Sequence, residues 1–561
     1  MKLLLLSALF FATADYSEGG KLVSQLGHTQ ITTKWHADFE AQTLLFSITF
    51  GKNPPPLLLI GFSDHGQLNH SDAIVWKNNE ILDSYINREF EVETDLEQDW
   101  ELVRTIKNGV ILSRSIITCD PMDYAFQTGT TQFIIAASWR DDVSNLESSS
   151  FLKEMRFAKV LGEEEETTNL ENDAFDFEVI ADHAEIPTET TNYWCIIKPL
   201  PVNIQSKKHH IVGMDAVVQP GNEHLVHHME IFLCLENDVQ PFSGNCNDPN
   251  KPKASRSCSH VIAAWAMGEG PISYPSEAGL PIGGKGSSRY VMVEIHYNNP
   301  GNLANVIDNS GFKFIVTPSL REYDAAIMEL GLIYSDANSI PPGQLEFAIN
   351  AHCISECTEN LPAGGINIFG SQLHAHLTGT KLWTSHYRNG VKIGEVNRDE
   401  HYSPHWQHVQ SVRPYVNVRP GDNLITTCVY DTTRRQKTTL GGYGIEDEMC
   451  VNYIYYYPAS EIEVCKSAIS NSTLRQYFKS RHGLEEKTMS ISEMYNAVEW
   501  NERKSEELRN LFAVSPLNMA CLQQDSTLFP SHEWSEMKQP TRFSGAFVKT
   551  RDSYECPAIN N

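Results

Sequence analysis

The sequence predicts a mainly β protein of several domains, with a helical segment near the C-terminus. Short apolar runs such as TLLFSITF, LLLIGFS and TQFIIAASW recur with turn residues between them, which is typical of antiparallel β-sandwiches. The 561 residues exceed what one hydrophobic core organises. The sequence therefore indicates roughly three or four domains.

Three β-rich blocks follow one another along the chain. The first is predicted over residues 30–150 and shows no obvious catalytic set, so a binding or supporting role is expected. The acidic stretch GEEEETTNLENDAFDFE then forms a linker or an exposed crossing. The blocks over residues 175–300 and 311–466 have many short strands with Pro and Gly turns, and we predict two jelly-roll-like β-sandwiches there.

After residue 470 the pattern becomes helical. STLRQYFKSRHGLEEK and ISEMYNAVEWNERKSEELRNLFA each present an apolar stripe. Such a stripe must pack on other protein. Residues 470–561 are therefore a candidate dimerisation region, and a homodimer is one option.

The N-terminus has the pattern of a secretory signal. Lys2 precedes the apolar run LLLLSALFF, and Ala12-Thr13-Ala14 supplies an A-x-A cleavage pattern. The run is too short to span a bilayer, and no other segment is apolar enough, so no transmembrane helix is expected once residues 1–14 are removed. We predict entry into the secretory pathway, with a secretory or synaptic vesicle lumen or secretion as the destination. Retention as an uncleaved signal anchor is the alternative.

Composition fits an oxidising compartment. The twelve Cys are even in number and none forms a zinc-type C-x2-C pair, so disulfides are expected. The sequons at Asn69 and Asn471 are predicted glycosylation sites. The net charge of −27 excludes nucleic acid as a partner, because phosphate binding needs a basic surface.

Metal-ligand residue types occur in two separate clusters. The first has three imidazoles: His227, His228 and His296. The second has two imidazoles and a thioether: His374, His376 and Met449. Thioether sulfur is soft and favours Cu(I), whereas zinc sites seldom use Met. The sequence therefore predicts two copper centres with redox chemistry.

The spacing of the histidines predicts their local backbone. Side chains two apart on a strand share one face, so a strand through SQLHAHLTGTKLWTSHY would aim His374 and His376 at one metal. The adjacent pair His227-His228 cannot share a face on a regular strand. We expect a twist, a bulge or a strand end within HLVHHMEIFLC.

Other histidine groups are weaker ligand candidates. His209-His210 follows two lysines, whose charge disfavours a bound cation. A sharper competitor lies in HYSPHWQHV, where Pro and Ser indicate a loop. Its histidines are His401, His405 and His408.

With the two clusters in order, the chain resembles the copper type II, ascorbate-dependent monooxygenases, in the branch that hydroxylates tyramine or dopamine. The resembling stretches span about residues 190–466. They include TNYWC, GNEHLVHHMEIFLC, AAWAMGEG, VEIHYNNP, FGSQLHAHLTG and EDEMCVNYIYYYP. The N-terminal block resembles the DOMON domain that precedes the copper domains in this branch.

The resemblance implies a division of labour between two copper ions per chain. The three-histidine copper would store and deliver an electron, and the copper on His374, His376 and Met449 would bind O2, the co-substrate. Ascorbate would be the reductant, giving one electron to each copper. Tyr193 in TNYWC matches an active-site residue of the family, so Tyr193 and His374 are the catalytic candidates. The alternative for Tyr193 is a buried aromatic with a hydrogen-bonded hydroxyl.

The resemblance also implies a disulfide pattern that uses all twelve Cys. No Cys lies between Cys465 and Cys521, so a covalent dimer is not indicated. The implied pairs are Cys119–Cys556, Cys195–Cys246, Cys234–Cys258, Cys353–Cys465, Cys357–Cys521 and Cys428–Cys450.

The substrate class is argued from four residues. Peptide-amidating relatives place an Arg two residues before their His-x-His, where this chain has Gln372, so the partner for a carboxylate is lost. A small-molecule amine needs a carboxylate instead. Glu329 in the apolar segment IMELGL is the candidate, with a structural ion pair as the alternative. Tyr453 and Tyr456 could line an aromatic pocket, although a Tyr run on a strand is usually core packing.

These observations predict hydroxylation of the benzylic β-carbon of a phenylethylamine, tyramine to octopamine first, with dopamine to noradrenaline as the alternative. An orphan monooxygenase with a DOMON domain and a non-catalytic copper-binding protein are the remaining hypotheses. The complete ligand set argues against the last.

Overall fold

The structure, a computed structural model, forms two compact units. Among the described residues, unit 1 contains residues 20–161 and 398–403, and unit 2 contains residues 170–397 and 404–540. The predicted signal segment lies outside the described residues. The structure describes residues 20–540 except 53, 65, 67, 78–79, 141–143, 162–169, 224, 267–269, 300, 445 and 485–488.

Unit 1 is built from antiparallel strands in two sheets. The strands are β1 (Lys21–Leu26), β2 (Thr29–Asp38), β3 (Thr43–Phe50), β4 (Leu57–Ser63), β5 (Asp72–Lys77), β6 (Glu80–Ile86), β7 (Val92–Thr94), β8 (Glu101–Ile106), β9 (Gly109–Ser115), β10 (Thr131–Ser138) and β11 (Phe151–Ala158). The sheet orders are β1-β2-β3-β9-β8 and β11-β10-β4-β5-β6-β7. Both sheets contribute to an aromatic core in which the Phe46, Phe62 and Phe133 ring centroids lie 5.3–6.4 Å apart. The predicted N-terminal β-sandwich is confirmed.

The first block of unit 2 also consists of two main sheets. Its elements are β12 (Phe175–Ile180), β13 (Ala184–Glu185), β14 (Thr191–Pro199), α1 (Val202–Ser206), β15 (His209–Val217), β16 (Val226–Cys234), β17 (Phe242–Asn245), β18 (Cys258–Ala266), β19 (Ile272–Ser273), β20 (Ala278–Ile282), β21 (Tyr290–Asn298), β22 (Ile307–Asp308) and β23 (Gly311–Thr317). The sheet β17-β14-β21-β16-β18 carries the first histidine cluster. The other sheet contains β12, β23, β15 and β20.

The second block of unit 2 carries the second cluster and the helices. Its elements are β24 (Tyr323–Asp324), β25 (Ala326–Leu332), β26 (Phe347–Cys353), α2 (Ser355–Thr358), β27 (Ile366–His374), β28 (Gly379–Arg388), β29 (Val391–Asp399), β30 (Val409–Val418), β31 (Asn423–Tyr430), β32 (Val451–Tyr457), β33 (Ile462–Ile469), α3 (Asn471–His482), α4 (Ile491–Ala497), α5 (Glu502–Val514) and β34 (Leu517–Gln523). Its sheets have the orders β30-β27-β32-β25-β33-β34 and β26-β31-β28-β29. The prediction of two further β-sandwiches is confirmed.

The two blocks of unit 2 share one hydrophobic core. Val293 and Phe312 of the first block belong to the same buried cluster as Phe369 and Tyr455 of the second. β23, which the sequence assigned to the second block, pairs with β12 and β15 in a sheet of the first. Local pattern identifies a strand but does not identify its pairing partner, so the boundary between the two blocks stays a prediction.

The helical segment packs within unit 2. Phe478 of α3, Tyr495 of α4 and Leu508 of α5 are fully buried, and the Tyr495 hydroxyl donates to Ala337 O at 3.0 Å. The apolar stripes therefore need no second subunit to cover them. β34 further shows that the region predicted as helical also supplies an edge strand, paired to β33.

The backbone at His227 is irregular, as the adjacent histidines predict. Val226 lies opposite Tyr297, and His228 lies opposite His296, so His227 is an extra residue on β16. This β-bulge frees two consecutive side chains from strict alternation.

The strand expected through both His374 and His376 is interrupted. β27 ends at His374, and the turn that follows is closed by a hydrogen bond from Gly379 N to His376 O at 3.2 Å. The expectation that strand alternation alone places both histidines is therefore wrong, because His376 is positioned by a turn.

A buried polar network anchors the end of β21 beside the first cluster. The Tyr297 hydroxyl donates to Asp308 Oδ2 at 2.8 Å, and Asn222 Nδ2 donates to Asp308 Oδ1 at 2.8 Å. Tyr297 and Asp308 are fully buried. The network fixes the residue next to His296.

We predict that Tyr297→Phe lowers the free energy of unfolding by about 1 kcal/mol, because Asp308 Oδ2 loses one of its two donors and keeps only the N–H of Ser310. Urea denaturation of the full chain measures the change. Tyr290→Phe on the same strand is the matched control and should shift the value by less than about 0.5 kcal/mol. Equal effects of the two variants would contradict the role of the network.

Candidate copper centres

Three histidine side chains converge between β16 and β21. His228 Nδ1 lies 3.2 Å from His227 Nδ1 and 3.3 Å from His296 Nδ1. One ring nitrogen from each histidine lies within 4.8 Å of those of the other two. Spacings near 3.3 Å fit nitrogen donors that surround a single ion at about 2 Å.

The electrostatics of this cluster suit a cation. Burial lowers the pKa of His227 to about 4 and that of His296 to about 3, and it lowers the pKa of His228 well below its ordinary range. The imidazoles are therefore neutral at neutral pH, which is the form that ligates. Three nitrogens without a carboxylate or thiolate suit copper.

Tyr193 lies directly against this cluster. It stands opposite His296 in the register of β14 and β21, and the two rings are stacked with centroids 4.6 Å apart and an interplanar angle of 8°. Burial raises the pKa of Tyr193, so its hydroxyl stays protonated. The contact orients His296; a catalytic role for Tyr193 stays a prediction.

The second cluster is held by hydrogen bonds to its ring nitrogens. The His374 and His376 ring centroids lie 5.2 Å apart. His374 Nδ1 donates to Gln407 Oε1 at 2.5 Å, and His376 Nδ1 donates to Asp447 O at 3.0 Å. Each hydrogen bond keeps the ring proton on Nδ1, so the lone pair of Nε2 is the one that can bind a metal.

Met449, the predicted third ligand, lies two residues before Val451, which pairs with His374. Its backbone N–H shares an acceptor oxygen of Glu448 with the backbone N–H of His376. The Tyr430 hydroxyl donates to Met449 O at 2.8 Å, and the next residue, Cys450, forms a disulfide with Cys428. Burial lowers the pKa of His374 to about 3 and also lowers that of His376. Two neutral imidazoles and a thioether again form an uncharged donor set that suits Cu(I).

Three of the competing histidines, His210, His401 and His408, have other partners. His210 Nε2 lies 2.7 Å from Asp324 Oδ1, and its Nδ1 accepts from Arg321 N at 3.0 Å. His401 Nε2 donates to Ala125 O at 3.0 Å within unit 1, and His408 stacks on Trp406. These three histidines therefore already have partners within the protein.

Family models match the chain in three places. The DOMON domain model matches residues 27–139, and the N-terminal and C-terminal domain models of copper type II ascorbate-dependent monooxygenases match residues 177–304 and 323–478. A tyramine beta-hydroxylase from Caenorhabditis briggsae is 55% identical, covering 99% of this chain and 98% of the relative. The chain belongs to the copper type II, ascorbate-dependent monooxygenases.

Two further relatives support this membership. A human dopamine beta-hydroxylase is 36% identical to this chain, and the match covers 90% of this chain and 84% of the relative. A mouse DBH-like monooxygenase protein 1 is 30% identical, and the match covers 95% of this chain and 90% of the relative. The chain is therefore a copper-dependent monooxygenase, and its unit 1 sandwich is a DOMON domain.

Three of the predicted substrate residues form a row on the sheet of this monooxygenase. Tyr453 on β32 lies opposite both Gln372 on β27 and Glu329 on β25. Residues paired across strands share a face, and Gln372 shares its face with His374, two residues on. The row therefore leads from the second centre towards Glu329.

Tyr456 does not join this row. It lies on the opposite face of β32, in a different core cluster, and its hydroxyl is 2.8 Å from Ser460 Oγ. This placement is the core packing that the sequence left as the alternative.

Glu329 is bound to a cation of the protein. Its Oε2 pairs with Lys466 Nζ and accepts from the Tyr334 hydroxyl at 3.3 Å, while Lys466 Nζ also donates to the Tyr334 hydroxyl at 2.7 Å. An amine at Glu329 would share this carboxylate with Lys466. The ammonium role stays a prediction.

Most of the implied disulfide pattern is present. The sixth pair depends on Cys556, which lies outside the described residues. Asn471 is exposed at the start of α3, and Asn69 is half-buried in a turn, while glycosylation of both stays a prediction. The five pairs present are Cys195–Cys246, Cys234–Cys258, Cys353–Cys465, Cys357–Cys521 and Cys428–Cys450.

Sequence reasoning missed the residues that hold the ligands. Gln407 sits inside the HYSPHWQHV segment, considered only for its histidines, and Glu448 directly precedes Met449. A polar residue beside a candidate ligand is the signal that points to such supports.

Among the helices that the structure describes, none is long and apolar enough to cross a membrane.

We predict that His296→Ala removes about one copper equivalent per chain and abolishes turnover, because two imidazoles hold Cu(II) poorly. Copper analysis after dialysis measures the loss. His210→Ala is the control on a histidine engaged by Asp324, and it should keep the wild-type copper content. Full copper and activity in His296→Ala would show that another histidine completes the site.

Proposed function

We propose that this monooxygenase hydroxylates the benzylic β-carbon of a phenylethylamine, with tyramine to octopamine as its reaction. Two copper ions per chain, O2 and ascorbate complete the system. Dopamine to noradrenaline is the second candidate, favoured by the similarity to dopamine beta-hydroxylase. The two substrates differ by one phenolic hydroxyl.

The observation that carries the proposal is the row Gln372, Tyr453 and Glu329 beside His374. The row has the uncharged amide of Gln372 near His374, the aromatic ring of Tyr453 in the middle and the carboxylate of Glu329 at the far end. A phenylethylamine needs partners of these two kinds, since it has an aromatic ring and an ammonium group on either side of its benzylic carbon. An amide in place of a guanidinium removes the partner of a carboxylate-bearing substrate.

Two buried carboxyl groups lie close to the first centre. Glu230 and Glu294 lie opposite each other on β16 and β21, two residues from His228 and His296 respectively. Burial raises the pKa of Glu230 to about 8, with Glu294 and Glu329 raising it further and Lys466 opposing them. Glu230 is therefore mostly uncharged at neutral pH, and Lys466 is the cation that faces these acids.

Bound copper would supply one-electron redox chemistry and the activation of O2. The chain's own residues would do the rest. His227, His228 and His296 would hold the electron-storing ion, with Tyr193 stacked to fix His296. Gln407 and Asp447 would orient the ring nitrogens of His374 and His376. Tyr453 and Glu329 would orient the amine so that its benzylic carbon faces the second centre.

The proposal extends to the cellular setting. The N-terminal signal pattern and the five disulfides support a secretory or synaptic vesicle lumen or secretion. A homodimer stays a prediction without support from the helical stripes, which are covered by their own chain.

Oxygen uptake by copper-loaded enzyme with ascorbate tests the proposal. We expect consumption with tyramine and dopamine and the β-hydroxylated amine as product. 4-Ethylphenol, which has the benzylic carbon without the ammonium group, is the matched control and should react much more slowly. Equal rates with 4-ethylphenol and tyramine would contradict an amine site, and no uptake with any amine would contradict the reaction.

We predict that Gln372→Arg lowers kcat/KM for tyramine by roughly tenfold or more, because a second positive charge in a buried site repels the ammonium. Gln372 is buried and its Nε2 donates to Gln407 O at 2.9 Å. Steady-state kinetics with tyramine and with a carboxylate analogue measure the effect.

Gln372→Met separates charge from size for this position. Met is similar in length and uncharged, and it loses the same hydrogen bond to Gln407. Tyramine efficiency should fall clearly less in the Met variant than in the Arg variant. Matching behaviour of the two variants, with no gain for Arg on the carboxylate analogue, would show that Gln372 does not face the substrate.

A further inference from the structure

The carboxylate of Glu448 lies between the two chain segments that carry the ligands of the second centre. Glu448 is only 4% exposed. Its Oε2 accepts from the backbone N–H of His376 at 2.9 Å and from that of Met449 at 3.2 Å. Its Oε1 accepts from the backbone N–H of Thr378 at 2.6 Å and from the Thr378 hydroxyl at 2.7 Å. One buried side chain therefore joins the turn after β27 to the residues before β32.

These hydrogen bonds define Glu448 as an acceptor at both oxygens. Three of the four partners are amide N–H groups, which can only donate. An ionised carboxylate is the form that accepts without donating. Hydrogen bonds to an ionised acceptor are also stronger than neutral ones, so the arrangement is rigid.

The position of these hydrogen bonds makes Glu448 relevant to the second centre. Glu448 bonds directly to the backbone of His376 and of Met449, the two candidate ligands that lie outside the strands. The carboxylate therefore ties the two ligand-bearing segments to each other.

A second contact strengthens the same junction. The residue before Glu448 supplies the carbonyl that accepts from His376 Nδ1, so one short segment holds His376 by both its backbone and its ring. The separation of His376 and Met449 is therefore set by the Asp447–Met449 segment. The turn alone does not set it.

We propose that Glu448 is the positioning residue of the second copper centre, whose carboxylate fixes His376 relative to Met449. The inference rests on the proposal that His374, His376 and Met449 bind copper. It predicts that loss of these hydrogen bonds weakens Cu(I) binding at the second centre and leaves the three-histidine centre unchanged.

Competition of the full chain with a Cu(I) chelator under anaerobic conditions tests this. Glu448→Gln keeps the shape, but its amide NH2 replaces an acceptor oxygen opposite N–H donors. We expect Cu(I) affinity at the second centre to fall about 10–100-fold, the range for residues that support metal ligands. A Met449→Ala chain identifies which binding phase belongs to that centre. Turnover should show a lower kcat with an unchanged KM for the amine, since Glu448 does not contact the substrate.

Thr378→Val is the matched control, because it removes only the hydroxyl bond and leaves the carboxylate with its three N–H donors. Its Cu(I) affinity should stay within about threefold of wild type. Wild-type Cu(I) affinity in Glu448→Gln, with only a lower melting temperature of the metal-free protein, would overturn the inference. If Glu448→Gln does not fold, Glu448→Asp decides. Its shorter side chain cannot keep all four bonds, and an affinity equal to wild type would again overturn the inference.

A wild-type chain that binds fewer than two copper ions would contradict the proposed function instead. Two copper ions in wild type together with unaltered affinity in both Glu448 variants would contradict only the role of Glu448. The two failures are therefore distinguishable.

Discussion

The register between β16 and β21 is the constraint on which the first copper centre depends. It sets His228 opposite His296, and the bulge at His227 adds a third imidazole to the same point. The next strand, β14, stacks Tyr193 on His296 through its own register. A slip of one residue would send these side chains to the other face. The geometry of the three-histidine cluster is thus a property of sheet pairing.

The second centre is built on a different principle. His374 is the last residue of β27. His376 and Met449 lie outside the strands, where strand pairing does not fix side chains. Hydrogen bonds fix them instead. The rings of His374 and His376 donate to Gln407 and Asp447, and the backbone N–H of His376 donates to Glu448. A centre held by hydrogen bonds in loops is easier to adjust than one held by sheet register. This suits the centre proposed to meet O2 and substrate.

The parts that could be predicted from sequence are those with a local signature. Alternating apolar runs identified the sandwiches, residue type identified the candidate ligands, and the adjacency of His227 and His228 required the bulge. Gln407 and Glu448 were missed because their importance comes from contacts with residues 33 and about 70 positions away. The pairing of β23 and the covering of the helical stripes were missed for the same reason, since both depend on distant partners.

Copper K-edge X-ray absorption of the reduced, copper-loaded protein tests most directly whether the two clusters are distinct copper centres. Two copper ions per chain should give imidazole scattering for both, and a sulfur shell that averages to one sulfur per two copper ions. The sulfur shell should vanish in Met449→Ala while the three-histidine signal persists. An all-imidazole spectrum in the wild-type protein, or one copper per chain, would contradict the assignment.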